Sequence, residues 1–154
     1  MYGPLAFSEV TSQLLGDISE GKNAAEWMLD LCYDGNPLLT RAGERPAFRD
    51  ERLVFVSSPF FPHKLAKGYS NPALGVVKTV NGTRIKNLAH LVQVLRDLKD
   101  EFAVFAFDRK NGGETMVFPR TEMVKATEDI MTDNEIRSQG SPQMLAIWNA
   151  KPRE

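Results

Sequence analysis

Residues 73–107 read ALGVVKTVNGTRIKNLAHLVQVLRDLKDEFAVFAF, and this stretch decides the fold because it runs as strand, tight turn, helix and strand without a break. Val76, Val77 and Val80 lead into Asn81-Gly82, a pair that tolerates positive φ and closes a turn at little cost. Asn87 offers a side-chain oxygen to the free amides of a helix start. Behind it, Leu88, Leu91, Val92, Leu95 and Leu98 recur at helical spacing and make one apolar face. Every residue from Phe102 to Phe107 is apolar, so both faces of that strand are expected to be covered and the strand to be central.

Toward the N-terminus, Arg52 to Ser57 reads as another apolar strand, stopped by Pro59. Phe60 to Tyr69 follows as a turn with a short helix ending at Gly68. Tyr2 to Val10 reads as a strand, after which Thr11 caps a short helix through Leu15 that Gly16 ends. Gly21 to Asp50 forms an insert. It holds a helix around Asn23 to Tyr33 with an apolar stripe of Trp27, Met28, Leu31 and Cys32, then a long loop bracketed by Asn36-Pro37 and Ala42-Gly43. Toward the C-terminus, Arg109 to Gly113 with Asn111-Gly112 is expected to turn a hairpin into a partner strand at Glu114 to Phe118. Thr121 caps a further helix whose Met123, Ala126, Thr127 and Ile130 face inward. After a polar stretch, MLAIWN is a last apolar stripe for a docked helical turn, and residues from Ala150 on fray.

The run GYSNPALGVVKTVNGTRIKNLAHLVQVLRDLKDEFAVFAFD, residues 68–108, resembles the end of a PDZ domain of the Deg/HtrA serine protease family. It is most similar to the divergent second, C-terminal PDZ domain of such proteases, where VVKTVNG, KNLAHLV, a DEF strand and a later ATEDI helix go together. Tyr2-Gly3-Pro4-Leu5 stands where that family has the loop opening its groove. Ala73-Leu74-Gly75 departs from the family's Gly-Asp before the strand. The resemblance implies an α+β fold, a PDZ-like partly open β-barrel or sandwich capped by helices, with the helical insert at about 21–50 and a C-terminal helical extension. Residues 1–120 form the core and 121–154 the extension, packed on the same domain.

With 154 residues, of which 42% are hydrophobic, the chain can bury about 70% of its unfolded surface, enough for one core. A formal net charge of -1 with interspersed charges gives no field that draws it to nucleic acid or an anionic membrane. One cysteine excludes an intrachain disulfide and leaves the compartment open. No signal peptide or membrane span is visible, so membrane insertion is not expected.

Serine protease chemistry needs a nucleophile, a base and an orienting carboxylate. Ser141, followed by Pro142 in a polar tail, has no nucleophile loop around it, and only His63 and His90 could act as base. Cys32 is expected to be a small buried hydrophobe on its helical stripe. One Cys and two His at no ligand spacing give no metal centre, and Asp133-Asn134-Glu135 reads as a helix end. No catalytic residue, metal or cofactor is therefore assigned to this chain; the parent protein implied by the resemblance is a trypsin-like endopeptidase.

Binding remains. The resemblance implies a groove in which a peptide or unfolded protein segment adds as a strand, lined by Tyr2, Gly3, Pro4, Leu5, Ala6 and Phe7 and by His90, Leu91, Val94 and Leu95 of the helix. Pro4 lacks an amide hydrogen, which weakens capture of a terminal carboxylate. The alternative is a structural module for oligomerisation or gating, its groove closed by the chain itself. In that reading the partners are other subunits of a Deg-type protease, and the insert helix with Trp27 and Met28 occupies the groove or covers a neighbouring subunit.

Overall fold

The computed structural model describes residues 1–22, 24–41, 43–109 and 114–151, without the side chains of Ile18 and Trp27. Along the chain run β1 (Phe7–Glu9), α1 (Ser12–Glu20), α2 (Ala24–Tyr33), α3 (Pro37–Thr40), β2 (Val54–Val56), a 3-10 turn (Lys64–Ala66), β3 (Val77–Val80) and β4 (Thr83–Arg84). Then come α4 (Leu88–Asp97), β5 (Phe102–Phe107), β6 (Met116–Pro119), α5 (Arg120–Asp133) and α6 (Pro142–Trp148). This is an α+β fold with a two-stranded sheet, β1-β2, and a four-stranded sheet in the order β4-β3-β5-β6. A bridge between Phe55 and Val76 joins them, and among the described residues no barrel closes.

The central unit forms for the reasons its sequence gives. Asn81 and Gly82 take φ of 45° and 76°, the left-handed pair that a tight turn between β3 and β4 requires. The Asn81 side chain also accepts from the Val104 amide at 2.8 Å and donates to the Phe102 carbonyl at 2.9 Å, so the turn is stitched to β5. Asn87 Oδ1 accepts from the His90 amide at 2.8 Å and starts α4. β5 is central between β3 and β6. One of its faces, Ala103, Phe105 and Phe107, is buried, while the other is only half covered and Phe102 is exposed, so full cover on both sides does not hold. The Asn111-Gly112 turn lies outside the described residues, but β6 does return antiparallel to β5.

β2 explains its own composition. Val54 and Val56 enter the main core with Leu5, Leu91, Phe105 and Phe118, whereas Phe55 joins Leu31, Leu38 and Val76 under the insert. Alternation along the strand sends neighbours to opposite faces, so three successive buried residues mean two cores, one on each side. The insert therefore packs on the back of β2. Asn36, buried at 2% exposure, ties it down by accepting from the Leu38 amide and donating to the Leu74 carbonyl, both at 2.9 Å.

Several expectations change. α1 runs through Gly16 to Glu20, because a lone helix glycine costs only about 1 kcal/mol and α1 is packed along α2. Asn36-Pro37 is the cap and first turn of α3 rather than a loop bracket, the position where proline's missing amide costs nothing. Thr121 lies inside α5, whose cap is Pro119 without a side-chain bond. Met123, Ala126, Thr127 and Ile130 do face inward. Cys32 is exposed: the buried stripe of α2 runs through Met28 and Leu31, and Cys32 is rotated off it. The insert's Asn23, the bracket residue Ala42, and residues 152–154 of the stretch expected to fray are outside the described residues.

Candidate functional site

β1 has one paired and one open edge. The Ser57 amide donates to the Ala6 carbonyl and the Val10 amide to the Leu53 carbonyl, each at 2.9 Å, with Ser8 opposite Phe55. Backbone groups alternate in direction along a strand, so those of Phe7 and Glu9 point away from β2. They point into the slot between β1 and α4. Glu9 fixes one end of that slot: its carboxylate accepts from the Leu88 amide at 3.0 Å, across the gap and onto the first turn of α4. The Phe7 ring lies over Phe105, centroids 5.8 Å apart, which holds the strand against the main core.

The tail supplies a third wall. Ser141 caps α6, which packs along α4, and Arg96 Nη1 donates to the Ile147 carbonyl at 2.8 Å. Ahead of it, the Met1 nitrogen donates to the Gln139 carbonyl at 2.7 Å and Gln139 Nε2 to the Met1 carbonyl at 3.0 Å. Trp148 meets Tyr2 at 6.1 Å between ring centroids. Between β1, α4 and this tail lies a cavity of about 290 Å³, with Phe7, Leu88, Leu91, Leu95, Met144 and Trp148 among its walls. An engineered cavity of about 150 Å³ accepts benzene, so a bulky side chain fits.

The loop at residues 2–5 is turned inward. Tyr2 donates to the Leu5 carbonyl at 2.9 Å and Leu5 to the Tyr2 carbonyl at 3.3 Å. The Gly3 amide donates to Thr127 Oγ1 of α5 at 2.7 Å, and that hydroxyl donates to the Met123 carbonyl at 2.9 Å. Gly3 has φ 54°, a left-handed conformation that a side chain would strain, and a Cβ there would also push the Met123 thioether aside, so glycine is favoured. Pro4 has no amide hydrogen, and its carbonyl accepts from Phe61 at 3.0 Å.

Of the residues expected at the groove, Tyr2, Phe7, Leu91 and Leu95 line the cavity. Gly3, Pro4 and Leu5 are buried beneath it, and Ala6 is half-buried at the lead of β1. His90 and Val94 lie on another flank of α4, in a shallow depression with Gln93 and Asp97. His90 Nδ1 accepts from the Lys86 amide at 3.2 Å; burial, with Lys86 nearby, lowers its pKa from the ordinary value. His63 likewise accepts from the Leu65 amide. Sequence reasoning did not assign Leu88 and Val92 to the groove, although the 88, 91, 92, 95 stripe was visible. It also left out Gln139, Met144 and Trp148, whose apolar stripe was legible but whose docking place was not.

A family model for the PDZ domain matches residues 1–143. The chain belongs to the PDZ domain family. PDZ domains are protein-interaction modules without catalytic chemistry of their own, and such a domain takes a peptide by strand addition to a sheet edge. The matched span ends inside α6, so Met144 and Trp148 of the third wall of this PDZ domain lie beyond it. No curated protein sequence matches the chain. Among the described residues, no three His, Cys, Asp or Glu side chains gather where they could hold a metal ion, and no helix is long and apolar enough to cross a membrane.

Proposed function

We propose that this PDZ domain recognises peptide or unfolded protein segments by strand addition to β1, as the non-catalytic C-terminal module of a Deg/HtrA-type serine endopeptidase. The observation that carries the binding reading is the open row of Phe7 and Glu9 backbone groups facing α4 over an apolar cavity. Main-chain hydrogen bonds supply affinity and the cavity takes a side chain. The protease parentage is supported by the run of residues 68–108, and a trypsin-like domain encoded directly upstream is its check. For binding, titration of the labelled chain with extended ten-residue peptides should shift the Phe7 and Glu9 amide resonances and leave those of 24–40 in place. If no peptide moves them at millimolar concentration, the reading fails.

A second reading is favoured by the tail: residues 139–148 wall the slot, so the domain gates or assembles the parent protease instead of reading substrate. Trp148→Ala separates the two. Tighter peptide binding in the variant marks α6 as an obstruction, and weaker binding marks it as part of the receptor.

A further inference from the structure

We propose that this groove reads internal segments of a polypeptide and does not use a free C-terminal carboxylate; the inference rests on the strand-addition reading above. The amides of residues 2–5, the loop at the end of the slot, are all accounted for. Tyr2 and Leu5 donate to each other's carbonyls, Gly3 donates to Thr127 Oγ1, and Pro4 has none. A carboxylate at that end would need two or more donors, or a cation, to offset its lost hydration. Among the described residues no Lys, Arg or His side chain lines the cavity. The Met1 nitrogen, at the cavity wall, already donates to the Gln139 carbonyl at 2.7 Å. Arg96, on the neighbouring turn of α4, is held by the Asp97 carboxylate through two contacts of 2.7 Å and by the Ile147 carbonyl.

Along the strand edge the backbone donors of Phe7 and Glu9 remain for a guest, and these pair with backbone at any point along a chain. The cavity beside them is walled by Phe7, Leu91, Leu95 and Trp148, which selects a bulky apolar side chain. The ligand class is thus an extended segment with Leu, Met, Phe or Trp facing α4, presented from the middle of a chain, as in an unfolded protein or a loop.

The test uses one library of ten-residue peptides, each with a central Leu, Met, Phe or Trp, synthesised as the C-terminal acid, as the C-terminal amide, and extended by Gly-Ser on both ends. Binding is read by fluorescence titration against the full chain. The expected result is equal affinity of the three forms within about threefold, whereas a carboxylate-reading loop would favour the acid by roughly tenfold to a hundredfold, the size of one or two charge-assisted hydrogen bonds. A tenfold preference for the acid overturns the inference and leaves the strand-addition reading intact. Failure of every form to bind overturns both.

Discussion

Residues 2–5 and residues 7–9 are neighbours in sequence and opposites in hydrogen bonding. In the loop, the amides of Tyr2, Gly3 and Leu5 have protein acceptors, and Pro4 brings no donor. In the strand, the Phe7 and Glu9 groups turn away from β2 toward α4. Buried polar backbone must be paired within the fold, while an edge strand can leave its outer row for another chain. The difference teaches that what a groove can read depends on the donors its fold leaves over, and that family membership alone does not fix them. Here α5 takes the donor that a terminal reader would need, because Thr127 presents its hydroxyl to Gly3.

The comparison makes the loop structural and the strand receptive, and substitutions test each half. The largest effect is expected at Leu5, which is 0% exposed. Leu5→Ala should cost about 3 kcal/mol, within the range of buried leucine truncations, read from the midpoint of urea denaturation. A loss below about 1 kcal/mol would mean that the loop is not anchored in the core. Thr127→Val comes next: it keeps the shape and removes the acceptor, leaving the Gly3 amide buried without a partner. A destabilisation of roughly 1–3 kcal/mol is expected, and a neutral result would show that the loop can release that amide.

Much of this arrangement was legible because it is local. Asn81-Gly82, the Asn87 cap, the inward residues of α5 and the central place of β5 follow from spacing and turn chemistry, and the β1–α4 slot followed from the family resemblance. What was not legible depends on long-range contacts. The stripe at Met144 and Trp148 is visible as apolar, yet nothing local says that it docks on α4 beside Tyr2. The insert was a candidate to fill the groove, but Phe55, which gives it a second core behind β2, read only as one more apolar strand residue. His90 was placed at the groove by the family resemblance, and in the structure Leu88 and Val92 line the cavity while His90 lies on another flank of α4. The Gly3 to Thr127 bond spans most of the chain, and no spacing rule reaches that far.

On the strand side, Glu9→Ala tests whether the slot's end is pinned. The Glu9 carboxylate acts toward the Leu88 amide as a capping side chain does toward a helix start, so its removal should cost roughly 0.5–2 kcal/mol. Glu9→Gln keeps an acceptor and should recover part of the loss. The same Ala variant should accept longer peptides at least as well as the parent, because the bridge across the gap is gone. If peptide binding disappears while the fold remains by circular dichroism, Glu9 belongs to the receptor and not only to the scaffold.

The smallest effect is expected at Tyr2, where the two halves meet. Its hydroxyl is buried with no hydrogen-bond partner among the described residues, and burial raises its pKa, against the opposing Arg120 charge. A donor kept protonated and unpaired weakens the fold, so Tyr2→Phe should be neutral or stabilising by up to about 1 kcal/mol in thermal denaturation. The ring's contact with Trp148 survives the change, which isolates the hydroxyl. Destabilisation beyond about 1 kcal/mol would mean that an ordered water satisfies the group, and a wet cavity would have room for a polar guest group. The division between a sealed loop and a receptive strand would then run through Tyr2 itself and not between residues 5 and 7.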